Sequence, residues 1–195
     1  EPYYKGPIEA RINKGLMSGG DIYAYRIVNS GASTARNVAI WKAWDWADIF
    51  GILDSDDQYY ADKVETLVGK LIEHPEVGVA YGDYDITTPT YSRYEFKPSY
   101  DRRALLQRCM VHSGALIKKE FLQQVILPNN EFFDSRLHGP ASQGFIGCTE
   151  DYDLWLRLSK ICMITHVPKC LANANEHGDN QSLKMTNEIF QKHAQ

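Results

Sequence analysis

Between residues 48 and 83 the chain passes from a short apolar run, DIFGIL (48–53), through three carboxylates into a helical period, and then into a second apolar run. The carboxylates are Asp54, Asp56 and Asp57. The helical spacing is that of Val64, Leu67, Val68, Leu71 and Ile72, stopped at His74-Pro75, and the second run is VGVAYGD (77–83). Proline removes a backbone donor and ends a helix, so the spacing and its stop predict helix followed by strand. Short continuous apolar runs are what strands buried on both faces of a parallel sheet require.

The same alternation extends along the chain. DIYAYRIV (21–28) reads as a strand, and SGASTARNVAIWKAW after it reads as a helix with Ser33 as N-cap. IEARINKGL (8–16) also reads as a helix. VHSGALI (111–117) is a strand, KKEFLQQV a short helix, and TEDYDLWLRLSK (149–160) a helix with Leu154, Trp155 and Leu158 on one face; CMITHVP (162–168) is the last strand. The predicted class is α/β: a mostly parallel sheet flanked by helices, with right-handed crossovers and ligands gathered at the carboxyl ends of the strands. Residues 84–104, polar and tyrosine-rich, read as a hairpin or loop excursion, and 128–148 as a long functional loop.

A chain of 195 residues with 44% hydrophobic content can build one substantial core. The expected division is a single domain over 1–182 and a C-terminal helical tail over 183–195. Net charge is −4, so no global basic field exists to hold nucleic acid. No transmembrane run and no secretion-signal profile appears. The four cysteines, Cys109, Cys148, Cys162 and Cys170, show neither zinc-site spacing nor a disulfide framework, which points to reduced thiols in a cytoplasmic protein.

Three acids at a strand end support two readings. Asp is a good helix N-cap and favours the positive end of the helix dipole. Carboxylates are also the ligands of hard cations such as Mg²⁺ or Mn²⁺, which complete their shell with substrate phosphates. From this stretch alone both stand. Glu150 and Asp151 pose the same choice, since acids belong in the first turn of a helix in any case.

Six segments carry a resemblance: GASTARNVAI (31–40), ILDSDD (52–57), HPEVGVAYGD (74–83), HSGALIKKE (112–120), TEDYDLWLRL (149–158) and HGDNQS (177–182). In this order the chain resembles the nucleotide-sugar glycosyltransferases of family 2, which have the GT-A fold. The resemblance implies a metal-dependent, inverting transfer of a sugar from a UDP- or GDP-linked donor to a hydroxyl on a glycan or other acceptor. It implies that Asp54 and Asp56 stand at the family's D-x-D motif, Asp54 toward the ribose and Asp56 on Mn²⁺ or Mg²⁺, with Asp57 assisting or capping the next helix. It further implies that Arg36 and Asn37 help build the donor site, that His177 reaches back to the metal, and that His112 lies near the acceptor. Asp151 matches the family's catalytic base, with Glu150 beside it; Trp155 and Leu158 are assigned to the core.

Two departures shape the expectation. Residues 1–7, EPYYKGP, cannot be a buried parallel strand, so the family's first strand is expected to be missing, the chain being either a fragment of a longer enzyme or a relative shortened at the N-terminus with an incomplete donor site. Val28-Asn29-Ser30 also stands where relatives carry D-D-x-S. A truncated sheet exposes an edge, which suggests pairing with another copy. The rival to an active transferase is a catalytically silent GT-A remnant that acts as a binding module.

Overall fold

The structure, a computed structural model, describes residues 9–13, 22–137 and 150–176. Strands β1 (Glu9–Asn13) and β2 (Ile22–Arg26) pair antiparallel as a separate two-stranded sheet. The helix expected over 8–16 is thus a strand where it is described, because ladder hydrogen bonds with β2 override a weak local helix preference. Helix α1 (Gly31–Ala43) follows; β2 meets it through the Lys42 ammonium over the Tyr25 ring, and meets the turn after it through Tyr23 against Trp46. Ser33 is not the N-cap. It lies inside α1, buried, two residues after the helix begins.

The main sheet comprises β3 (Ile49–Gly51), β4 (Gln58–Tyr59), β5 (Val77–Thr87), β6 (Ser92–Glu95), β7 (Leu116–Lys118) and β8 (Met163–Asn175). Its order is β3-β7-β5-β8-β4, with β6 paired to the far half of β5. Among the described residues only β5 and β8 run parallel; β3 with β7, β5 with β7, β4 with β8 and β5 with β6 are antiparallel. The fold is therefore mixed α/β, and the mostly parallel sheet expected above is corrected to a mostly antiparallel one.

The reason lies in what an apolar run reports. Ala80 and Leu116 pack with Leu67 and Leu71 of α2 (Lys63–Glu73) on one face. Val79, Tyr81 and Ile117 join Leu154, Trp155 and Leu158 of α5 (Glu150–Leu158) on the other. A strand covered on both faces is apolar at every position whichever way its neighbour points. Trp155 and Leu158 are fully buried, as their assignment to the core requires. On α2, Leu67 and Leu71 face the sheet while Val64 and Ile72 remain exposed, so the inward stripe is narrower than the spacing suggested. Short helices α3 (Arg102–Leu105) and α4 (Lys119–Leu122) complete the layer.

Strand β8 is longer than the sequence implied. A proline normally ends a central strand, and Pro168 marks the end of the expected one. Instead Gly82 pairs with Val167 and Asp83 with Cys170, so Pro168 and Lys169 form a bulge and the strand resumes to Asn175. A Cβ on Gly82 would stand 2.7 Å from Leu171 Cδ1 and 2.9 Å from the Lys169 carbonyl oxygen, so glycine is what lets the bulge close against β5. Residues 84–104 form the expected hairpin excursion through β6.

Candidate active site

The acidic turn lies between β3 and β4 and is closed by the Asp57 N–H donating to the Asp54 carbonyl at 3.1 Å. None of its three acids caps α2, which starts at Lys63 after Asp62. Instead the turn is held by the end of β8: the Asn175 N–H donates to Asp57 Oδ1 at 3.1 Å, and the Asn175 side-chain amide donates to the Asp56 carbonyl. Burial, then the neighbouring Asp54 and Asp56 charges, push the Asp57 carboxyl up to about 6 against the pull of the Asn175 N–H and Lys63. The capping role considered for Asp57 is thereby replaced by a tie to β8.

Arg36 joins this turn to α5. Its guanidinium donates from Nη2 to Asp54 Oδ1 and from Nη1 to Glu150 Oε1, each at 2.7 Å. One planar fork thus binds two carboxylates from distant parts of the chain. Below it the guanidinium lies 5.5 Å from the centre of the Phe133 ring. Phe133 is set by Asn37, one position after Arg36 on α1. Asn37 Oδ1 accepts the Phe132 and Phe133 N–H groups at 3.0 and 2.9 Å, and Nδ2 donates to the Phe133 carbonyl at 2.7 Å. Asn37 is fully buried, so its described contacts hold the 132–133 backbone rather than reach a ligand. Arg157 reinforces the same loop, donating to the Val125 and Phe132 carbonyls and, at 2.8 Å, to Asp153.

Glu150 and Asp151 open α5, and their environments differ. Glu150 is buried against the guanidinium. Asp151 accepts the Tyr152 N–H at 2.8 Å. Burial and then the Glu150 charge push its carboxyl up to about 7, opposed by Arg36 and the Tyr152 N–H. Neighbouring carboxylates whose surroundings differ in this way can take different chemical roles, and a base titrating near neutrality is suited to accepting a proton.

Arg36, Asp54, Glu150 and Asp151 are therefore brought together, with Asn37 supporting Arg36 through Phe133, while Asp56 stands two residues from Asp54 in the same turn. His177 and the tail over 183–195 lie outside the described residues, as do positions 138–149 of the predicted loop. Asp54 and Asp56 offer hard oxygen donors, and among the described residues no group of three or more His, Cys, Asp or Glu side chains is arranged to hold a metal ion. That donor set fits an ion of the magnesium or manganese type, which takes one or two carboxylates and fills its shell with substrate phosphates and water. Sequence reasoning missed Asn175 because it ended the strand at Pro168, and it passed over Lys63, whose burial only the fold decides. The alternation in LANAN (171–175) is the signal that the strand continues.

Among the described residues no helix is long and apolar enough to cross a membrane. The model of the family described as glycosyl transferase family 2 matches residues 10–132, a span that contains the acidic turn and Arg36 but stops short of Glu150 and Asp151. No curated protein matches the chain.

Proposed function

The chain belongs to glycosyl transferase family 2, and from that premise we propose that it transfers a sugar, with inversion, from a nucleoside-diphosphate sugar to an acceptor hydroxyl. The observation that carries the reading is the Arg36 fork, which ties the Asp54 turn to the start of α5. An acid turn for the donor and a carboxylate of raised pKa for the acceptor then stand on the two sides of one guanidinium.

In this reading Asp151 accepts the proton of the acceptor hydroxyl as its oxygen attacks the anomeric carbon. The new glycosidic bond forms on the face opposite the departing nucleoside diphosphate, and direct displacement inverts the centre. Asp56 and Asp54 would hold Mn²⁺ or Mg²⁺, whose chemistry is to neutralise charge growing on the leaving diphosphate. Arg36 keeps Asp54 and Glu150 fixed while substrates exchange, and Asn37 keeps the loop beneath Arg36 from moving. Glu150 raises the proton affinity of Asp151 while its own carboxylate is held by Arg36.

The test is a screen of UDP- and GDP-sugars for binding and hydrolysis with Mn²⁺, Mg²⁺ or EDTA. Metal-dependent binding of one nucleotide class and release of its diphosphate are expected. Absence of metal-dependent nucleotide binding across the screen would overturn the reading and favour a binding module built on the same fold.

A further inference from the structure

Lys63 opens α2 and is 1% exposed. Its ammonium lies 3.6 Å from the centre of the Tyr59 ring and finds no hydrogen-bond acceptor among the described residues. Burial pushes the group down to about 8, opposed by the charge of Asp57. Beside it stands His112. A Cβ on Gly114 would meet His112 Cε1 at 2.5 Å and Lys63 Nζ at 2.7 Å, so only glycine allows the imidazole and the ammonium to come this close.

His112 Nδ1 accepts the Gly114 N–H at 2.9 Å, which leaves its ring proton on Nε2 as a donor. Burial first, then Lys63 and Lys97, hold the ring neutral, with its pKa down to about 3. Lys97 completes the group. Its ammonium lies 4.8 Å from the centre of the Tyr84 ring, itself 4.8 Å from the His112 ring, and no carboxylate pairs with it among the described residues. Its backbone is fixed, since the Lys97 N–H donates to buried Asp83 at 2.7 Å.

A buried ammonium thus stands beside the N–H donor of a neutral ring, with a second ammonium one aromatic ring away, in a chain of net charge −4. Leaving a buried ammonium without an acceptor is costly, and so is bringing like charges together; a bound oxyanion offsets both. The charges of both halves of the candidate site reach this region. Lys63 is in the field of Asp57, and the buried Cys109 thiol feels Asp151, Lys97 and Glu150 together.

We propose that Lys63, His112 and Lys97 form a seat for an oxyanion, carboxylate or phosphate, carried by the acceptor substrate beside the hydroxyl to be glycosylated. The inference rests on the transferase reading and narrows its acceptor to acidic molecules. The acceptor is favoured over the donor because Lys97 and Asp151 both act on the Cys109 thiol, whereas in the transferase reading the donor diphosphate would be met by the metal at the Asp54 turn.

The experiment titrates the full ¹⁵N-labelled chain with inorganic phosphate and with glucuronate, using glucose as a neutral control, with and without saturating UDP and Mn²⁺. The expected result is a saturable shift of the His112 ring and Gly114 amide signals with both anions and not with glucose, persisting when UDP and Mn²⁺ are present. In Lys97→Gln the affinity should fall about tenfold, the loss of one charge-assisted hydrogen bond. The half-exposed position of Lys97 makes that variant compatible with folding, so the test does not depend on replacing buried Lys63. Absence of a saturable shift, an unchanged affinity in Lys97→Gln, or displacement of the anion by UDP and Mn²⁺ would overturn the proposal; the last would give the seat to the donor diphosphate. If UDP fails to bind while phosphate still produces a Lys97-dependent shift, the seat stands and the transferase reading falls.

Discussion

Arg36 and Glu150, 114 residues apart, are joined by a 2.7 Å charge-assisted hydrogen bond, and the other arm of the same guanidinium holds Asp54. The side chain of Arg36 is 13% exposed and that of Glu150 5%, so this bond is made largely out of water. Its consequence is positional: the acidic turn and the start of α5 cannot separate without breaking one of the two Arg36 ion pairs.

Arg36→Met removes the cation and leaves both acids facing each other. Breaking a buried pair from one side costs roughly 3–5 kcal/mol. Urea unfolding should show a loss of that order, and Mn²⁺-dependent UDP affinity should fall with it. Unchanged stability would mean that the fork contributes little.

Asp151→Asn keeps shape and removes the base. Turnover is expected to drop by about two to four orders of magnitude, with donor binding nearly intact. In the parent chain the rate should rise as pH passes about 7, when Asp151 loses its proton. The stability effect has a definite sign. The folded carboxyl titrates near 7 rather than at its ordinary 3.8, so the stabilisation from protonation is complete at low pH and lost as pH rises through about 7. The Asn variant should therefore match the parent in acid and have the higher melting temperature at pH 8.

Asp56→Ala should abolish the dependence of nucleotide binding on Mn²⁺, read by calorimetry with and without EDTA. The Asn175 tie to Asp56 is made to the backbone carbonyl, so replacing the carboxylate leaves that bond in place. The melting temperature is expected to move little, which separates loss of a ligand from loss of the turn.

Asn37→Ala leaves the Phe132 and Phe133 N–H groups without their buried acceptor and the Phe133 carbonyl without its donor. Each orphaned group costs about 1–3 kcal/mol, and the summed loss in denaturant should exceed that of an exposed substitution severalfold. Because Phe133 underlies Arg36, donor affinity should weaken as well.

Gly82→Ala pushes a methyl group against the Lys169 carbonyl, where backbone rather than a flexible side-chain tip must yield. Overpacking of this kind costs about 1–3 kcal/mol. Its effect should extend along β8 to Asn175, so hydrogen exchange at the Asn175 amide should quicken more than at Val79 on β5.

The chain determined by itself whatever depends on local period and residue chemistry. α1, α2 and α5 were legible from apolar spacing and stops, the hairpin after β5 from its polar, turn-rich composition, and the carboxylates from their clustering at a strand end. Strand direction was not legible, because burial on both faces makes a strand apolar whether its neighbour runs parallel or antiparallel. The continuation of β8 was hidden by Pro168, which a bulge against Gly82 accommodates. Only the tertiary structure decided which charges meet: Arg36 with both Asp54 and Glu150, Asn175 with the acidic turn, and Lys63 with His112 across Gly114. Coulomb and hydrogen-bond energies depend on distance in space, and distance along the chain carries almost none of that information.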